Sequence, residues 1–115
     1  MFNKENEYKK AFNFQKRWAK HWTTPSAHRS HSSTDAMKPQ AEDALKKIIE
    51  INNLNLSFEE KIINLLDYYK NCQLQQSLKP ITGTPFYRNN IQYIETQIKN
   101  IKNNIPVEVY KMPKY

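Results

Sequence analysis

The sequence predicts an all-α fold, a small helical bundle or a short right-handed helical solenoid of about four helices with an extended N-proximal arm and a C-terminal tail. Three observations lead there. Apolar residues recur at spacings of three and four in four separate stretches, the spacing of one helix face. The chain has one glycine, Gly83, in 115 residues, too few for the turns of a sandwich or barrel. Its single cysteine, Cys72, cannot form an internal disulfide, so packing or a partner chain has to supply the stability.

The first stretch runs from residue 5 to residue 22, where Tyr8, Phe12, Trp18 and Trp22, helped by Ala11, Gln15 and Ala19, form an aromatic stripe. Lys9, Lys10, Lys16, Arg17 and Lys20 occupy the other face. Residues 23–39 are polar, contain two prolines and show no period, so they read as an extended arm. A helical hairpin is expected over 40–72. Pro39 stands in the first turn of its first helix, with Ala41, Ala44, Leu45, Ile48 and Ile49 as the stripe and Asn52-Asn53 as the end. The second helix opens with Ser57 and Glu60 as a capping box, and Phe58, Ile62, Leu65, Leu66 and Tyr69 share one face. The short link between the two helices forces them antiparallel.

Residues 73–84 hold the glycine and Pro80 and read as a connector, helical at its start. The last helix is expected over 85–104, with Thr84 as cap and Pro85 at its first position. Tyr87, Ile91, Ile94, Ile98, Ile101 and Ile105 repeat there as a heptad-like seam. Pro106 stops it, and 105–115 form an extended tail with apolar residues on alternate positions. The predicted core contains Leu45, Ile48, Ile62, Leu65, Ile94 and Ile98.

Charge is uneven along the chain: +5 over residues 1–31, −1 over 32–79 and +3 over 80–115. Basic ends fit a nucleic-acid backbone, anionic lipid headgroups or an acidic surface on a neighbouring subunit, and charge alone does not choose. No apolar run approaches the ~20 residues of a membrane span. Neither a secretory signal nor an Arg- and Ser-rich transit peptide is evident at the start.

No constellation for chemistry is read from the chain. Cys72 stands apart in sequence from His21, His28 and His31, and no second cysteine or carboxylate cluster completes a zinc set around the histidines. Glu42-Asp43 and Glu59-Glu60 are expected in helix first turns, where the dipole favours negative charge. The expectation is therefore a protein with no catalytic residue, no metal, no cofactor and no small-molecule substrate. The basic aromatic segment 12–22 is the one candidate for nucleic acid, since rings stack on bases while Lys and Arg hold phosphates. Its rings share a face, however, which points to burial instead.

Residues 35–71 resemble the central helical hairpin of mitochondrial cytochrome c oxidase subunit Va, the fungal subunit VI type. The matching features are Asp35, Met37, Pro39, Ala44-Leu45, Asn52-Asn53, Ile63 with Leu65-Leu66, and Lys70. Residues 85–109 are similar to that family's last helix and its proline stop, with Tyr93-Ile94 in the matching place. Phe14-Gln15-Lys16-Arg17-Trp18 resembles the start of the family domain. The chain departs from the family where it has TTPSAHRSHSST in place of a helix and where it adds the 73–84 connector.

The resemblance implies a non-catalytic accessory subunit of a respiratory-chain complex. It would stabilise cytochrome c oxidase from the matrix side of the mitochondrial inner membrane, peripherally and without a span. The partners would be other subunits of that complex, met through Lys16, Arg17, Trp18, Trp22, His28, Arg29, Val107, Val109 and Tyr110. The competing expectation is a basic helical module that binds nucleic acid or a regulatory protein.

Overall fold

The computed structural model describes residues 2–23, 31–77 and 86–107, with no side chains described for 31–38, 76, 77 and 86. Four α-helices make up this part: α1 (Lys4–Thr23), α2 (His31–Asn52), α3 (Phe58–Ser77) and α4 (Phe86–Lys102).

Several helix ends have a local chemical cause. Asn3 caps α1, its Oδ1 accepting the Asn6 amide at 3.1 Å. Ser57 caps α3, its Oγ accepting the Glu60 amide at 3.2 Å while its hydroxyl donates to Glu60 Oε1 at 3.3 Å. Half of the capping box is therefore present: the cap bond forms, while Glu60 returns to the Ser57 hydroxyl and not to its backbone N–H. The end of α4 is a Schellman turn: Ile105 N–H donates to Asn100 O at 2.8 Å and Asn104 N–H to Ile101 O at 3.0 Å. Asn104 takes the left-handed conformation that this turn requires, with φ 61°, and Pro106 then prevents any continuation.

Contacts between helices set their directions. The Glu5 carboxylate accepts the Phe58 amide at 2.8 Å, so α1 and α3 start at the same end. At that end too, the Lys61 ammonium donates to the Asn52 carbonyl at 3.0 Å and stands 4.6 Å from the Phe58 ring centroid. It thereby neutralises the negative C-terminal pole of α2. Residues 53–57 turn the chain back, making α2 and α3 antiparallel. Tyr69 meets Tyr87 with ring centroids 5.8 Å apart, while Leu66, one turn earlier, shares a groove with Ile98, so α4 runs against α3.

The result is an up-down-up-down bundle. Helix α1 packs on α2, α3 and α4, whereas in a solenoid each element would touch only its neighbours. Of the predicted core, Ile48, Ile62, Leu65 and Ile94 are buried, while Leu45 and Ile98 are partly buried against it.

Several expectations change. Residues 31–39 belong to α2 and not to an extended arm, and Pro39 sits inside the helix. Its ring lies on the exposed side. The hydrogen bond that it forfeits is offset by the packing of α2 on α1. Glu42 and Asp43 consequently lie about three turns into α2, away from its dipole-favoured start. Ile49 is 47% exposed and Ile51 takes its place in the core, because Ala44, Ile48 and Ile51 share a face that residue 49 leaves by about 100°.

Helix α3 continues through Ser77, so residues 73–77 are helix, as the reading of a helical start to the connector allowed. Ile105 leaves the seam of α4 with 48% of its surface exposed, since the Schellman turn swings it outward, and Val107 is buried instead. Thr84, Pro85 and the tail beyond Val107 lie outside the described residues.

Candidate protein-binding face

Helix α1 divides cleanly into two arcs. At about 100° per residue, Glu7, Tyr8, Ala11, Phe12, Phe14, Gln15, Ala19 and Trp22 fall on one side, and all of them are buried. The complementary arc, about 120° wide, holds Asn6, Lys9, Lys10, Asn13, Lys16, Arg17 and Lys20, all exposed. It carries five cations and no acid or apolar residue.

The acids of α1 are used elsewhere. Glu7 is buried and pairs with Lys10 at 3.2 Å, and Glu5 caps α3. Lys9 stands 5.9 Å from the Phe58 ring centroid. Lys16 and Arg17 have no acid within ion-pair distance among the described residues, so their charge is directed to solvent.

The aromatic stripe is absorbed by the fold. Phe14 stacks on Tyr93 of α4 with centroids 4.9 Å apart, and on Trp18 at 6.1 Å. Trp18 meets Trp22 edge to face at 5.9 Å. Trp22 is buried and Trp18 half-buried, so neither ring offers an open face to a base. Trp18 Nε1 is buried with no hydrogen-bond partner among the described residues.

The site residues expected from sequence therefore separate. Lys16 and Arg17 form the exposed face, with Lys9, Lys10 and Lys20 beside them. Trp18 and Trp22 pack inside. Val107 is buried in the chain's own core and offers no side chain to a partner. The turn at Asn104 returns the chain to the core there. His28, Arg29, Val109 and Tyr110 lie outside the described residues.

A second polar cluster was not anticipated. The Tyr68 and Tyr87 phenols gather beside the Cys72 thiol, with Tyr69 alongside, its ring centroid 6.0 Å from that of Tyr68 and 5.8 Å from that of Tyr87. Burial, more than any neighbouring charge, pushes all three phenols above the usual tyrosine range. The signal available in sequence was the i, i+4 spacing of Tyr68 and Cys72 on one helix. Tyr87 joins them only through tertiary packing.

Among the described residues no three His, Cys, Asp or Glu side chains gather closely enough to hold a metal ion. None of the described helices is long and apolar enough to cross a membrane. No family model, curated protein or solved structure matches this chain.

Proposed function

We propose that this chain is a non-catalytic accessory subunit that binds a neighbouring protein of a larger assembly through the exposed face of α1. The observation that carries this reading is the division of that helix. Its aromatic arc is spent on the chain's own core, and its remaining arc is purely cationic and amide-bearing. Lys10 on this face pairs with Glu7, but Lys16 and Arg17 meet no acid among the described residues, and gathered like charges repel. The face gains energy against a partner of opposite sign.

The resemblance to cytochrome c oxidase subunit Va gives the assembly its name in this proposal: a respiratory-chain complex, bound peripherally on the matrix side of the mitochondrial inner membrane. The helical hairpin of α2 and α3, with its Asn52-Asn53 end and Leu65-Leu66 pair, supports that choice.

Native electrophoresis of the tagged protein, followed by mass spectrometry of the band, tests the proposal. Co-migration with respiratory-complex subunits is expected. A free monomer in the native extract overturns it.

A further inference from the structure

We infer that the partner segment met by the α1 face is an acidic helix, with carboxylates repeating at spacings of three and four along one side. This inference rests on the accessory-subunit reading and names the chemistry of its partner.

The geometry of the face selects that chemistry. From Lys9 to Lys20 the stripe is straight and about 16 Å long at 1.5 Å per residue. It is one helix wide. Three cations on the other helices are engaged within the fold: Lys47 pairs with Glu50 at 3.3 Å, Lys70 with Glu95 at 3.5 Å, and Lys61 caps α2. A single ridge of this width matches a second helix packed at the usual interaxial distance of about 8–10 Å. The carboxylates of such a helix recur at the period of Lys9, Lys16, Arg17 and Lys20.

Asn6 and Asn13 interleave with the cations, and each side-chain amide presents an acceptor as well as donors. A row of phosphates, which only accept at neutral pH, engages the amide NH2 groups and leaves those acceptors to water. Polar side chains beside the carboxylates of a protein helix satisfy them. The arc contains no apolar side chain to enter a bilayer. The rings that stack on single-stranded bases are turned into the core.

The test uses the full chain and three probes measured at low salt: a synthetic helical peptide with Glu along one face, a short DNA duplex and vesicles containing anionic lipid. The acidic peptide is expected to bind most tightly. Its affinity should fall about tenfold in the K16E/R17E variant, which removes two attractions and adds two repulsions. K16Q/R17Q should give a smaller loss. Far-UV circular dichroism confirms that both variants fold, since the two residues are exposed.

Tighter binding of the duplex or the vesicles overturns the inference, as does unchanged peptide affinity in K16E/R17E. In the native extract, a wild-type chain that enters the complex together with a K16E/R17E chain that enters it equally well refutes the acidic-helix contact and leaves the accessory reading intact. A wild-type chain that enters no complex refutes that reading itself.

Discussion

Replacing Gln15 by Met should stabilise the protein. Gln15 is fully buried in α1 with none of its surface exposed. Its Oε1 accepts the Tyr69 hydroxyl at 3.4 Å, well beyond the usual ~2.7–2.8 Å for such bonds, so this bond belongs at the weak end, about 0.5 kcal/mol. Its Nε2 is buried with no partner among the described residues, a loss of hydration of about 1–3 kcal/mol. Met has nearly the same length and volume, so it removes the orphaned amide without opening a cavity. Tyr69 has interactions besides this bond. The balance is a gain of about 1 kcal/mol. With a urea slope of about 1 kcal/mol per molar, the unfolding midpoint should rise by roughly 1 M. A double-mutant cycle with Tyr69→Phe should give a coupling below ~0.5 kcal/mol. If Gln15→Met lowers stability, or the coupling exceeds ~1.5 kcal/mol, the amide is an engaged part of the core and the reasoning is wrong.

Three further outcomes are expected. Leu65→Ala, at a position with no exposed surface, should cost about 2–5 kcal/mol in denaturant unfolding, and a loss below ~0.5 kcal/mol contradicts the placement of α3. Asn104→Gly should hold or slightly raise the melting temperature while Asn104→Ala costs about 1 kcal/mol, because the residue sits at φ 61°; equal effects of the two changes would remove the Schellman turn from the account. Alkaline pH should destabilise the fold. Burial raises Tyr69 above its ordinary 10.0, so the unfolded chain loses that proton first and stability falls above about pH 10. The slope is about 1.4 kcal/mol per pH unit for each such phenol, and Tyr69→Phe should reduce it in urea titrations followed across that range. An unchanged slope in the variant refutes the assignment.

Everything governed by neighbours three or four residues away was already written in the sequence. The apolar stripes of α1, α3 and α4, the Ser57 cap, the stop at Pro106 and the cationic row of α1 all follow from a period of 3.6 acting on side-chain type. The exposed half of the candidate site was legible for the same reason, since Lys16 and Arg17 stand opposite the aromatic stripe. Tertiary structure decided the rest.

Local rules place a helix start at Pro39, yet α2 begins at His31, because packing on α1 outweighs one missing hydrogen bond. Heptad counting assigns Ile105 to the seam, but one left-handed residue at Asn104 turns it out and buries Val107. The pairs Glu5 with Phe58, Gln15 with Tyr69 and Phe14 with Tyr93 join residues far apart in the chain, and no local period encodes them. That Glu5 is consumed in capping α3, so that it does not offset the charge of Lys16 and Arg17, is likewise a consequence of which helices meet. Short-range spacing fixes what each helix offers, and the choice of neighbour fixes what is left for a partner.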